Sequence, residues 1–422
     1  VTHLLLGCIA DDFTGGTDLA STLVRGGMRT LQVIGIPHEP IPDDIDAVVV
    51  ALKTRTLPAA EAVSESLQAL EWLKGIGCRQ YFFKYCSTFD STPQGNIGPV
   101  ADAMMASLGI DFAIACPAFP ENKRTVYQGH LFVGDVLLSE SGMRHHPLTP
   151  MTDSNLVKVL QQQTDKKVGL VPHSAVSNGN GLLKKTLAQV KDSGCGYAIV
   201  DAVTDDDLRA ISVVIQDHLL VTGGSGVALG LPDNFGRKGL LVGSEAASVL
   251  PAVGGLSAVL SGSCSVATNA QVAHWQAGRP AFRIDPLSLA RGEDQVAAAL
   301  AWAAGIIEHE PVLIYASALP ETVKAAQDLL GVEAAGEMVE EALSRIAAGL
   351  VELGVRKLVV AGGETSGAVV KALNVEALRI GPPIDPGVPW TVSLRDTPIA
   401  LALKSGNFGT VDFFEKALDL IQ

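Results

Sequence analysis

The chain has 422 residues, 47% of them hydrophobic and 18% charged, enough apolar material for two or three packed domains and too much for wholesale disorder. A formal charge of -14 excludes a general nucleic-acid or anionic-membrane surface, which needs clustered Lys and Arg. Six scattered cysteines without a CxxC pair or a Cys/His spacing exclude a disulfide framework and a structural zinc site, and fit reduced thiols in a cytoplasmic protein.

The opening VTHLLLGCIADDFTGG lacks a basic leader region, and its apolar run is too short for a signal peptide; Val1 in place of methionine points to a processed or variant start. Leu4 to Ala10 reads as a buried strand. Asp11-Asp12-Phe13-Thr14-Gly15-Gly16-Thr17-Asp18 is its turn into a helix that runs to about Arg25 and is ended by Gly26-Gly27. Adjacent carboxylates at a strand tip repel unless a cation or hydrogen-bond donors face them, which makes Asp11 and Asp12 candidates for a hydroxyl clamp or a general base. The competing structural reading is an Asp N-cap. Ala47 to Leu52 is a short strand ending in Lys53-Thr54-Arg55-Thr56, and Arg55 at that position can fork two hydrogen bonds onto a carboxylate. A helix from about Pro58 to Lys74 follows.

Gln80 to Leu108 is the densest stretch: an apolar strand broken by Lys84, a turn carrying Ser87, Thr88, Asp90, Ser91, Thr92, Gly95 and Asn96, and a helix opened by Gly98-Pro99. In an open α/β sheet ligands bind beyond the carboxyl ends of the strands, where this turn would lie. Its hydroxyls, carboxylate and carboxamide suit a small polyhydroxy acid. Phe112 to Cys116 is a further strand. Thr125 to Pro150 reads as a hairpin and long surface connection, with His145-His146 as solvated loop histidines rather than metal ligands. Strands at Val168 to Val171, Ala198 to Asp201 and Leu219 to Val221 continue the βαβ alternation, and Thr222 to Gly226 is either an anion-holding turn or a tight packing turn.

Leu229 to Gly255 has little periodicity and marks the joint between halves. Beyond it, strand, glycine turn and helix recur three times. The turns are Ser261-Gly262-Ser263-Cys264-Ser265, Gly362-Gly363-Glu364-Thr365-Ser366-Gly367 and Lys404-Ser405-Gly406-Asn407-Phe408-Gly409. Small residues at helix amino ends leave N–H groups free for phosphate. Neither GxxxxGK[ST] nor GxGxxG is present, which disfavours a P-loop enzyme and a simple dinucleotide enzyme. Gly381 to Trp390 is expected to be a rigid Pro/Gly loop, a wall for a nucleotide base or a domain contact. The Ala-rich run Val296 to Ile307 is too short for a membrane span, which takes roughly 20 apolar residues.

ADDFTG at 10–15, KTRT at 53–56, FKYCSTFDSTPQGNIGPV, PAFPENKRTVYQGHLFVGD, SGSCS, AGGETSG and KSGNFG together resemble the four-carbon acid sugar kinase family, over nearly the whole chain. The central motif is similar to the 3-oxo-tetronate kinase branch, whereas relatives acting on threonate or erythronate carry a shorter KxDSTxRGN-like version. The resemblance implies two Rossmann-like α/β domains with mainly parallel sheets facing an interdomain cleft: 1–235 for the acid sugar, a linker at 236–256, and 257–422 for the nucleotide. It implies ATP-dependent, Mg²⁺-assisted phosphorylation of the 4-hydroxyl of 3-oxo-tetronate, with closure over the cleft excluding water. Asp12 is the first candidate base and Asp90 the second. Asp11, Arg55, Lys84, Ser91 and Asn96 fall on the substrate side; Ser261, Gly262, Gly362, Gly363, Glu364, Thr365, Ser366 and Gly406 fall on the nucleotide side. Metal ligands are not assigned. The expected partners are the acid sugar and ATP, with no nucleic acid and no membrane, and a homo-oligomer is left open. The alternatives are a D-threonate or D-erythronate kinase, an NAD-dependent dehydrogenase of a related acid, and a non-catalytic sensor.

Overall fold

The computed structural model describes residues 4–146, 148–243, 245–317, 328 and 331–421. It divides into two compact units, Val1–Ser248 and Val249–Gln422. Each is α/β with a mainly parallel sheet.

In the first unit, β1 (Leu6–Ala10), β2 (Thr30–Ile34), β3 (Ala47–Ala51), β4 (Gln80–Lys84), β5 (Ala113–Cys116), β9 (Lys167–Val171), β10 (Cys195–Val200) and β11 (Leu220–Gly223) form a parallel sheet in the order β2-β3-β1-β4-β11-β5-β10-β9. The central strands are buried on both faces, and so β1, LGCIA, and β3, AVVVA, are continuous apolar runs instead of alternating ones. After β1 the chain winds toward the β2 edge, and after β3 it crosses to the other side of β1. The loops leaving β1, β3 and β4 therefore diverge around one point, the kind of switch at which open α/β sheets bind ligands. Register fixes their level, because Ala10 pairs with both Ala51 and Lys84.

Helix Phe13–Arg25 ends at Gly26, with Gly27 at φ 86 turning the chain. The expected hairpin beyond β5 is a three-stranded antiparallel sheet of β6 (Arg124–Tyr127), β7 (His130–Val133) and β8 (Val136–Leu137). The Thr222 to Gly226 turn is buried and leads into a 3-10 helix, Ser225–Gly230, and so it serves as a packing turn.

In the second unit, β12 (Leu256–Ser261), β13 (Ala281–Arg283), β14 (Val312–Tyr315), β15 (Val355–Ala361), β16 (Ala377–Asp385), β17 (Val388–Ser393) and β18 (Ala400–Lys404) lie in the order β13-β14-β12-β15-β18-β17-β16. The strands β12 to β15 and β18 are parallel; β16 and β17 add an antiparallel hairpin. Ser261 pairs with Ala361, which pairs with Lys404, so the three glycine turns leave the sheet at one level.

The segment 381–390 is a correction to the sequence reading. It is strand, a turn at Gly387 and strand, with register shifts at Pro383 accommodating the prolines. Trp390 lies in the core with Trp275, Phe413 and Phe414, and its indole donates to Ala417 O at 2.8 Å. A side chain so enclosed cannot wall a nucleotide base. Truncating it leaves a cavity and an unpaired carbonyl, so Trp390→Ala should cost about 3–5 kcal/mol of unfolding free energy, read by urea denaturation.

Candidate active site

Asp11 and Asp12 follow β1 directly, Arg55 follows β3 and Lys84 ends β4. The structure brings these four together. Arg55 donates from Nε to Asp11 Oδ2 at 2.9 Å and from Nη2 to Asp11 Oδ1 at 2.8 Å, a two-pronged pair. The same Nη2 reaches Asp12 Oδ1 at 2.6 Å. The other edge of the guanidinium, Nη1, has among the described residues only Asp90 Oδ2 at 3.9 Å. Lys84, also buried, donates to Tyr85 O at 3.2 Å and stands 3.9 Å from Asp12 Oδ1.

Asp12 occupies the N-cap position of helix Phe13–Arg25, yet its side chain makes no capping hydrogen bond. It turns to Arg55 and Lys84, and Thr14 Oγ1 donates to its Oδ2 at 3.1 Å. Burial works to raise its pKa, but Arg55, Lys84 and the Thr14 hydroxyl together hold the carboxyl below the ordinary aspartate value. Asp11 goes the other way: burial raises it, and Arg55 offsets this only in part. Asp18, one helical turn on, is buried beside the same cluster and is likewise raised by burial. Asp18 closes the turn read after β1, but no role in the site was legible for it, since an Asp entering an amphipathic helix ordinarily faces water.

The turn after β4 is anchored by aromatic packing. Phe89 is fully buried, packs edge-on against Tyr85 with ring centroids 5.2 Å apart, and sits at φ 53, a left-handed conformation that an aromatic residue rarely adopts. That kink aims Asp90, the next residue, whose Oδ1 is buried without a hydrogen-bond partner. Asn96 is the N-cap residue of helix Ile97–Leu108, but its amide donates to the carbonyls of Thr54 at 2.7 Å, Arg55 at 3.2 Å and Leu57 at 2.8 Å. It therefore ties the Arg55 loop down. Ser91 Oγ accepts from Gln163 at 2.8 Å, and Gln163 also donates to Thr92 O and accepts from Gly98 N. Gln163 is a supporting residue that no local motif could have revealed.

The second unit gathers its three turns. Gly262 N and Ser263 N donate to Ala361 O at 2.9 and 3.2 Å, and Gly362 N donates to Lys404 O at 2.8 Å. Ser265 caps helix Val266–Gln276 through Thr268 N. Gly362, at φ 130, holds a conformation closed to other residues as the chain enters helix Gly363–Ala372. Ser261 Oγ lies 2.7 Å from Ser317 Oγ, so that hydroxyl is engaged inside the fold. Ser366 Oγ is buried without a partner, Thr365 is buried and Glu364 is exposed on the first turn of the helix. Among the described residues no group of three or more His, Cys, Asp or Glu side chains is arranged to hold a metal ion, and no helix is long and apolar enough to cross a membrane.

Residues 6–231 match the family described as a sugar-binding N-terminal domain, and 258–414 match the one described as a nucleotide-binding C-terminal domain. The 3-oxo-tetronate kinase of Burkholderia multivorans is 62% identical over 98% of this chain and 96% of its own, and that of Cupriavidus necator is 61% identical over the same shares. The chain belongs to the 3-oxo-tetronate kinase family. The fold agrees with two solved structures. A Salmonella typhimurium LT2 protein described as a putative tRNA synthase is 44% identical with a TM-score of 0.90, covering 99% of both chains. A Haemophilus influenzae protein is 43% identical with a TM-score of 0.82, covering 99% of this chain and 100% of its own.

Within this family fold, the Asp12 and Lys84 side chains cross the first turn of helix Phe13–Arg25 at Gly15, where a Cβ would collide with Asp12 Oδ1 and Lys84 Nζ. Gly15→Ala should keep the fold, because the strands beneath are untouched, but displace both charged groups. The expected loss is about 100-fold in kcat/KM for the acid substrate, measured beside circular dichroism that matches the parent.

Proposed function

We propose that this protein is an ATP-dependent kinase that transfers the γ-phosphoryl group to the 4-hydroxyl of 3-oxo-tetronate by direct in-line displacement. The observation that carries this reading is end-to-end similarity to relatives named 3-oxo-tetronate kinase, at 43–62% identity. The geometry supports it with a cationic pair recessed at a switch point in one unit and glycine turns at helix amino ends in the other.

The substrate offers a carboxylate, a 2-hydroxyl, a 3-ketone and the reacting 4-hydroxyl. The Nη1 edge of Arg55 and the ammonium of Lys84 are suited to its carboxylate, because Asp11 and Asp12 occupy the other guanidinium edge and hold it still. Asp11 acts by orienting Arg55, and Asn96 and Ser91 by fixing the turns, so that the acid meets a preformed surface. Asp90 is the better placed of the two candidate bases. Its Oδ1 has no partner, whereas both oxygens of Asp12 are engaged and its lowered pKa makes it a weak proton acceptor. In transfer, Asp90 takes the proton from O4 as the O4–P bond forms and the bond from the γ-phosphorus to the β,γ-bridging oxygen breaks, releasing ADP.

The turns at Ser261 to Ser265, Gly362 to Gly367 and Lys404 to Gly409 hold the nucleotide phosphates through backbone N–H groups. Mg²⁺ needs only one or two protein oxygens beside the phosphates, and Glu364, exposed on the first turn of helix Gly363–Ala372, would supply one. When bound, the ion would neutralise charge on the β- and γ-phosphates.

ADP release with 3-oxo-tetronate, D-threonate and D-erythronate, followed by mapping of the phosphate position, tests the activity. Turnover on 3-oxo-tetronate with phosphate on O4 is expected; preference for threonate or erythronate would retain the kinase and reject the substrate. For the base, Asp90→Asn should lower kcat by about 100-fold or more with a modest change in KM, while Asp12→Asn should mainly raise KM for the acid. A kcat for Asp90→Asn within a few-fold of the parent would remove Asp90 from that role.

A further inference from the structure

Lys404 ends β18 and is fully buried, yet no carboxylate among the described residues pairs with it. Its three protons have three acceptors: Thr268 Oγ1 at 3.0 Å, Ser405 O at 3.1 Å and Gly406 O at 3.0 Å. Gly406 O also accepts from Ser265 Oγ at 2.6 Å and Thr268 Oγ1 at 2.8 Å. One ammonium thus draws two successive carbonyls inward and binds them to the capped start of helix Val266–Gln276.

The consequence lies on the other side of those peptides. A trans peptide points its C=O and the following N–H in opposite directions, and the described residues contain no cis bond. With Ser405 O and Gly406 O held inward, the N–H groups of Gly406 and Asn407 face away from Lys404. Among the described residues neither donates to a protein acceptor. Two adjacent outward amides form an anion-binding concavity, and here it is backed by an amine to which no carboxylate among the described residues supplies a countercharge.

We propose that Lys404 is a positioning residue for the nucleotide: it locks the Ser405–Gly406 carbonyls so that the Gly406 and Asn407 amides meet phosphate, and phosphate binding draws a proton onto its amine. The proposal rests on the reading of this unit as nucleotide-binding. Burial alone pushes the Lys404 ammonium down to about 7. The ionisable groups on the elements packed against it are Cys264 on the first turn, His274 on helix Val266–Gln276, Arg356 and Lys357 on β15, and Glu364 and Lys371 on helix Gly363–Ala372; β17 carries none. None of them contributes to the shift. The sign follows. Above pH 7 the free site is largely neutral, a bound anion favours the ammonium, and binding must take up a proton and weaken as pH rises.

The test is calorimetric titration of the whole chain with ADP, without metal, at pH 6 and pH 8 in pairs of buffers that differ in ionisation heat. At pH 8 the phosphates of ADP are already ionised. The wild type should take up close to one proton per ADP at pH 8 and almost none at pH 6. Lys404→Met should abolish the uptake and raise the ADP dissociation constant and the KM for ATP by about 10- to 100-fold, leaving the KM for the acid unchanged. ADP binding by the wild type without proton uptake would overturn the proposal and leave the nucleotide reading standing, and so would unaltered ADP binding by the variant. Failure of the wild type to bind ADP or ATP would overturn both. If Lys404→Met does not fold, the wild-type buffer dependence decides alone.

Discussion

A guanidinium withdrawn from water is tolerable only when carboxylates meet it in the right geometry, and the first unit is arranged around that requirement. Arg55 is held by Asp11 through two parallel bonds and by Asp12 through a third. Desolvation opposes the charge on Arg55, and the neighbouring aspartates more than restore it. Removing one partner from such a buried set costs on the order of 3–5 kcal/mol, because the other charges stay behind unpaired. The cluster is thus weak support for stability as such, but it holds one guanidinium edge rigidly and leaves the other for a ligand. Asn96, with three hydrogen bonds to the carbonyls of the Arg55 loop, extends that rigidity into the backbone.

Strand register does the remaining positioning. In the first unit Ala10, Ala51 and Lys84 lie at one level; in the second, Ser261, Ala361 and Lys404 do. Parallel strands can share a level at their carboxyl ends only when the crossovers between them return each strand in phase, and a slip of one residue would turn every side chain to the opposite face. Buried apolar strands forbid that slip. The polar residues that follow them therefore emerge side by side, however far apart they are in the chain.

How much of this was legible follows from what each signal encodes. The apolar runs of β1, β3, β4, β12, β15 and β18 are visible because parallel strands are buried on both faces, and the polar turns stand out against them. β2, TLQVI, was missed because Thr30 and Gln32 interrupt its apolar run, although both are buried. β16 and β17 were hidden by Pro382, Pro383 and Pro389, which argue against a strand until a bulge accommodates them. In the site, residue types were readable and their partners were not. Asp12 and Asn96 sit where helix-capping residues sit, and only the structure reveals that both turn their side chains to the Arg55 loop. Gln163 lies far along the chain from the turn that it supports, and nothing around it marks that contact.

Two lysines make the same point about charge. Lys84 and Lys404 each end a parallel strand, each is buried, and each donates to the carbonyl of the next residue, at 3.2 and 3.1 Å. In a sequence, a Lys after an apolar run reads as a strand end snorkelling to water. Neither does so here, and their surroundings then diverge. Lys84 faces Asp12, 3.9 Å away, within an acidic cluster. Among the described residues Lys404 hydrogen-bonds only to hydroxyl and carbonyl oxygens, which solvate an ammonium without neutralising it. A fold keeps such a charge buried at a cost that neutral dipoles repay only in part. In the free chain the amine is instead largely neutral above pH 7, and the countercharge that would restore its ammonium comes with an anion, for which the amides turned outward by Lys404 mark the place.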